Sequence, residues 1–480
     1  MARLTRRSVL AAGLAAGVAP KAFAASAPVS PVMAKLSAYM AEAHARALPD
    51  AVVERTKHAI LDTFSAMISG VALPPGRVAL AFARANAGER VATVAASDIV
   101  CGPMEAALVN GLLAHSDETD DTHPNSFTHP GSASVPGALA AGEKFGIGGA
   151  RFIRAVALGY DVGTRIGAML GAYDYTFDRH FATLSVGGTF CSAAAAACAA
   201  GLDAAQMRWL LSYAAQEASG LYSFQRDNDH IEKGFALAGM PARNGVTAAL
   251  LVQAGGTGVD DVFAGADNFL DAFRPLHDVA MLADGLGERY EVMRANIKKW
   301  TVGAPIQAPL DALEALIKKH RFGTADVKQL NIRLSPSEAA IVDGRDLADI
   351  SVQHLLTVML VDGKVTFASA HDAARVRDPV ILRERGKVRL VPDPALAPLM
   401  PKRVAIVEVA LTDGRMLSER VEAVKGTAEN PMTRDEIVEK ARDLIVPVLG
   451  AEKFRKLTDA VFGLETLKSI VELRPLIQKT

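Results

Sequence analysis

Gly188-Thr189-Phe190-Cys191-Ser192-Ala193-Ala194-Ala195-Ala196-Ala197-Cys198-Ala199-Ala200 carries no charge and is mostly alanine. Alanine forms helix best and occupies the least room. The segment therefore predicts a central helix covered on every side by other helices. Its neighbours keep the same period. Residues 47–70 set Val52, Val53, Ala59, Ile60, Thr63, Phe64 and Met67 on one face, opened by Pro49-Asp50 and closed by Gly70. Helical runs continue over residues 105–114, 135–145, 152–170, 204–218 and 241–253, and nothing from 47 to 255 reads as a sheet.

The pattern changes after about residue 285. Residues 326–334 alternate Val327, Leu330, Ile332 and Leu334 with polar neighbours, as a strand does. Residues 387–391 and 403–411 repeat this, the second ending in the turn signal Asp413-Gly414. Helical runs fall at 311–319 and 352–361, and after Asn430-Pro431 the chain is helical again over 434–449 and 453–467. The expected architecture is mainly α with an inserted α+β domain: a large all-helical domain over 30–285, a smaller α+β unit over 286–425, and C-terminal helices over 426–480 that rejoin the helical domain.

Composition narrows the function classes. In 480 residues, 52 basic side chains face 53 acidic ones, so the net charge of −1 gives no electrostatic case for a nucleic-acid partner. Half the residues are hydrophobic, which excludes a disordered chain. Arg6-Arg7-Ser8 leads into an apolar run ending near Ala19, and Ala22-Phe23-Ala24 forms a small-x-small cleavage site. Residues 1–24 thus read as a twin-arginine signal peptide, too short in its apolar part to span a bilayer, with a mature periplasmic chain from about Ala25. Cys101, Cys191 and Cys198 form no Cys-x-x-Cys pair and read as packing residues.

The polar residues concentrate in one place. Asn110-Gly111-Leu112-Leu113-Ala114-His115-Ser116-Asp117-Glu118-Thr119-Asp120-Asp121-Thr122-His123 closes a helix in four carboxylates and two histidines, and Thr128-His129-Pro130-Gly131 opens the next. Three chemistries fit: a divalent-metal site, a metal-free acid/base set, or a solvated helix end with capping aspartates. Two further stretches sit ahead of helices. Arg179-His180 precedes Val186-Gly187-Gly188, where a helix N-terminus suits an anion, and Asp229-His230-Ile231-Glu232-Lys233-Gly234 offers Lys233 to a carboxylate. Lys298-Lys299-Trp300 lies where the α+β unit begins, a cleft position.

Together these segments resemble the MmgE/PrpD family. The resemblance rests on Asn110-Gly111 through His115, Asp120-Asp121-Thr122 and His129-Pro130. Leu61-Asp62-Thr63, Gly159-Tyr160-Asp161-Val162, Lys233 with Gly239, Leu310-Asp311-Ala312 and Asn430-Pro431-Met432-Thr433 support it. The resemblance implies a helical domain with an α+β lid, a homodimer, no metal or organic cofactor, and an interdomain site for a small di- or tricarboxylate. Carried over residue by residue, it gives His129, Asp121, Glu118 and Lys233 as catalytic, and Thr122, Asp120, His180, Lys298 and Gln307 as substrate-binding. His129 is the principal acid/base, with Asp121 or Glu118 orienting it. Three departures stand out: Glu118 where several members have aspartate, Ala182 where a site histidine aligns, and Gln307 where another does. The implied activity is proton abstraction next to a carboxylate, foremost a 2-methylcitrate dehydratase-like hydro-lyase. Epimerisation, decarboxylation or non-catalytic carboxylate binding are the alternatives.

Overall fold

The structure, a computed structural model, describes residues 28–479; the signal-peptide reading of residues 1–24 lies outside them. The body is built from α1 (Asp50–Gly70), α2 (Pro103–Ala114), α3 (Pro130–Phe145), α4 (Gly149–Leu170), α5 (Thr183–Ala200), α6 (Ala204–Glu217) and α7 (Met240–Gln253). The alanine-rich α5 is the central helix, packed against α3, α4 and α7 and buried from Thr183 to Ala199. Its length and hydropathy would suffice for a membrane span, but burial in the core accounts for them. The helices come close because glycines face it. A Cβ at Gly245 would lie 2.2 Å from Ala193 N, and one at Gly163 would lie 2.4 Å from Gly187 O. Ser192 Oγ then donates to Ala242 O at 2.7 Å, satisfying a hydroxyl in an otherwise apolar seam.

The lid has its own core, centred on Leu313, Leu330, Leu356 and Val407. Helices α8 (Gln307–His320) and α9 (Val352–Asp362) accompany a four-stranded sheet, ordered β4-β3-β5-β6 once the body's two strands are numbered first. Strand β3 (Val327–Leu334) runs parallel to β4 (Val388–Pro392) and antiparallel to β5 (Ala405–Leu411), which pairs antiparallel with β6 (Met416–Val421). The chain then returns to the body as α10 (Arg434–Phe462), broken at Gly450 (φ +83°) and packed on α1. Lys440 of α10 donates to Asp62 Oδ1 at 2.6 Å and to Thr119 O at 3.0 Å.

Several features depart from the sequence reading, which passes over the helices Pro31–Glu42, Pro74–Ala85 and Ala172–Arg179. The body does contain a ladder, β1 (Ala92–Thr93) with β2 (Val100–Cys101), too short for any alternation to register and held by Glu143, which accepts from Thr93 N and Oγ1 at 2.6 Å each. Strand β6 is the sheet's edge, exposed at every other residue, so it lacks the apolar signal of β3 and β5. The helical path into α7 starts earlier than residue 241, at Ile231, and passes through a π-helical turn at Phe235–Gly239.

Candidate active site

Helix α2 ends at Ala114, and the connection to α3, residues 115–129, folds inward instead of meeting solvent: residues 115–121 are all buried. The reading of this stretch as a solvated helix end is therefore set aside. Asn110 holds the approach, accepting from Ala95 N at 2.9 Å and donating to Thr93 O at 2.7 Å. Asp120 is the hub. It accepts from Nδ1 of His115 at 3.0 Å and from Nδ1 of His129 at 3.1 Å. Burial alone would raise its pKa, but the two histidines hold it well below the usual carboxylate range. Burial lowers His129 below the usual imidazole value, and Asp120 offsets this only in part. With Nδ1 engaged, the Nε2 lone pair of a neutral His129 remains as a base on the cleft wall.

Beside this hub lies a carboxylate between two lysines. Lys233 Nζ pairs directly with Glu118 Oε1. Lys298 Nζ donates to Glu118 O at 2.7 Å and lies 3.6 Å from Glu118 Oε2 and 3.7 Å from Asp120 Oδ1. Burial works against ionisation of Glu118, yet Lys233 and Lys298 depress its pKa strongly, so it is anionic. Thr122 is fixed by a backbone pair with Asn296, 2.9 and 2.7 Å, and lines the cleft. The cleft lies between body and lid, with Glu118, His129 and Lys233 on one wall and Arg345 and Arg403 on the other.

Several expected residues fall elsewhere. Asp121 does not orient His129; it accepts from Tyr160 Oη at 2.5 Å and Gly131 N at 2.9 Å, and burial pushes its pKa up to about 7. The orienting carboxylate is Asp120. His180 is exposed at the end of the helix Ala172–Arg179 and does not line the cleft. Gln307 has its amide committed to the chain, accepting from Trp300 N at 3.0 Å and donating to Trp300 O and Val302 O, so it shapes the turn after Lys298 and leaves no group for substrate. Gly187-Gly188 lie a turn inside α5, whose N-terminus is Thr183, and form no anion site.

Residues distant in sequence complete the site. His230 stacks near His115, ring centroids 5.2 Å apart, with its pKa well below normal through burial and Lys233. Arg403 of the lid donates to Glu338 Oε1 at 3.0 Å and Tyr173 Oη at 2.7 Å, and Tyr173 stacks on Phe127 of the site loop at 3.8 Å. On the opposite flank His371 Nε2 of the lid lies 2.9 Å from Asp117 Oδ2 and 3.8 Å from Asp349 Oδ2. Only spatial folding unites these; His230, quoted beside Lys233, was the one with a local signal. His115, Asp120 and His129, or His115, Glu118 and His230, offer ligand atoms close enough for a cation. Against that, the lysine ammonium groups already lie against the same carboxylates.

A buried base, a fixed carboxylate and paired lysines at the junction of a helical body and an α+β lid make a site equipped for acid/base chemistry on an anionic ligand. Residues 34–281 match the MmgE/PrpD N-terminal domain and residues 300–466 the MmgE/PrpD C-terminal domain, and the chain belongs to the MmgE/PrpD family. Among its relatives are a cis-aconitate decarboxylase-like protein of Aspergillus oryzae, 26% identical over 94% of this chain and 98% of its own. The cis-aconitate decarboxylase of Homo sapiens is 27% identical over 90% of this chain and 91% of its own, and that of Aspergillus terreus 25% over 90% and 92%.

Proposed function

We propose that the chain is a cofactor-independent lyase that removes a proton next to a carboxylate of a small di- or tricarboxylate. The observation that carries this is the His115–Asp120–His129 set, which presents a neutral imidazole beside Lys233 and Lys298. His129 Nε2 takes the proton; the charge that develops on the substrate carboxylate is held by the lysines and the Thr122 hydroxyl. In the hydro-lyase reading, hydroxide leaves from the adjacent carbon with a proton from Lys233, giving an alkene and water, and solvent resets both groups. A histidine that starts neutral supports this order of events, since it begins as a base. The names of the relatives favour a second reading, carbon–carbon cleavage with release of carbon dioxide, which requires a proton donor for the new carbanion, a task for Lys233. Export by the twin-arginine route to the periplasm and a homodimeric state belong to the same proposal, the first resting on Arg6-Arg7 and Ala22-Phe23-Ala24.

Proton NMR of the purified chain in deuterated buffer, with citrate-, methylcitrate- and aconitate-type acids and a chelator present, tests the proposal. Exchange, loss of water or loss of carbon dioxide that persists in chelator is the expected result and names the reaction. Absence of all three on every acid overturns it.

A further inference from the structure

The cations around the cleft are not alike. Lys233 is paired with Glu118, Lys298 lies between Glu118 and Asp120, and Arg403 is bound to Glu338. Asp227, the other carboxylate on the wall, is tied within its own turn, accepting from Lys233 N at 3.0 Å and Asp229 N at 3.2 Å. Arg345 is the exception: half-buried on the lid wall, it takes no carboxylate partner among the described residues. A guanidinium drawn into a cleft without a counter-ion is costly unless an anion arrives to meet it.

Its loop is also held ready. Arg345 follows the helix Pro336–Val342, and Gln353 at the start of α9 clamps the turn, donating to Asp343 Oδ1 at 2.6 Å and accepting from Gly344 N at 3.2 Å. Gly344 takes φ +56°, a conformation that side chains resist, so the turn is fixed immediately before the arginine. The fork of N–H donors suits a carboxylate bidentately, whereas a lysine would meet it as a point charge.

We propose that Arg345 is a specificity-determining residue that binds the substrate carboxylate farthest from the reacting carbon. This rests on the function proposed above: the body wall holds the carboxylate that is next to the reacting carbon, and the lid's arginine holds the second. The substrate is thereby selected as a dianion or trianion, and the monoacid is rejected because Arg345 would be left unpaired.

Calorimetric titration with glutarate and with its monoamide, glutaramate, tests this on the full chain, its Arg345→Gln variant and its Arg345→Lys variant. The wild-type chain should bind glutarate about 10-fold or more tighter than glutaramate, the worth of one charged hydrogen-bonded pair. In Arg345→Gln that ratio should fall to about one, with unchanged affinity for glutaramate and an unchanged melting temperature, and Arg345→Lys should restore part of it. A preference that survives in Arg345→Gln, no preference in the wild-type chain, or no binding of either acid overturns the inference. Turnover is read separately. A chain that binds with this preference but exchanges no proton overturns the proposed reaction and leaves the role of Arg345 standing.

Discussion

His129 and Asp120 act as a unit, and their predicted variants differ in kind. His129→Asn should lower turnover by about 10²–10⁴-fold with the fold intact, measured by initial rates and circular dichroism. Because burial keeps His129 below the usual imidazole value, the acid limb of kcat/KM should fall below pH 6.5. Asp120 opposes that depression, so Asp120→Asn should slow kcat and move the limb to still lower pH; a limb that stays in place would deny Asp120 its positioning role. The motif 110–131 made this site legible as a cluster but not as a geometry. Adjacent aspartates point opposite ways, Asp120 to the histidines and Asp121 to Tyr160 Oη, and one-dimensional spacing does not reveal which faces the cleft. Other motif residues prove to be braces: Asp62 takes Lys440, and Asp311 accepts from Trp300 Nε1 at 2.9 Å and Lys425 N at 2.8 Å.

At the scale of elements, the alanine-rich run and the 3.6-residue period sufficed to place α1 to α7, because burial there follows composition directly. What escaped includes the helices Pro31–Glu42, Pro74–Ala85 and Ala172–Arg179, the two-residue strands β1 and β2, the edge strand β6, and the π turn ahead of α7. Packing at the seam of α5 and α7 gives a sharp expectation. Gly245→Ala pushes a methyl against Ala193 N, and should cost about 1–3 kcal/mol by denaturant unfolding. The tie between α10 and α1 is stronger. Lys440→Ala leaves Asp62 buried beside Asp120 without its cation, and breaking such a pair costs about 3–5 kcal/mol. Double substitution with Asp62→Ala should recover a large part of that loss; strict additivity would show that the pair is not coupled.

Across the whole molecule, body and lid are joined on both flanks of the site loop, by Arg403 with Tyr173 and by His371 with Asp117. The second junction titrates. Burial opposes the charge on His371, but Asp117 and Asp349 outweigh it and raise its pKa to about 9. A histidine raised in the folded state contributes fully below its unfolded value of about 6.5, and that contribution fades as pH climbs through about 9. Proteolysis of the lid should therefore quicken between pH 7 and 10 in the wild-type chain, while His371→Gln should be cleaved faster throughout and with less pH response. Equal profiles for the two would mean that this contact does not fasten the lid.

The return of α10 to the body has a consequence for how the molecule is made. Lys440 reaches Thr119 O and Asp62 behind the catalytic loop, yet it follows Thr119 by 321 residues along the chain. Nascent chain long enough to carry every catalytic side chain still lacks the ammonium that neutralises the floor beneath them. The site is thus complete only once α10 has been made and has docked, well after synthesis of the motif.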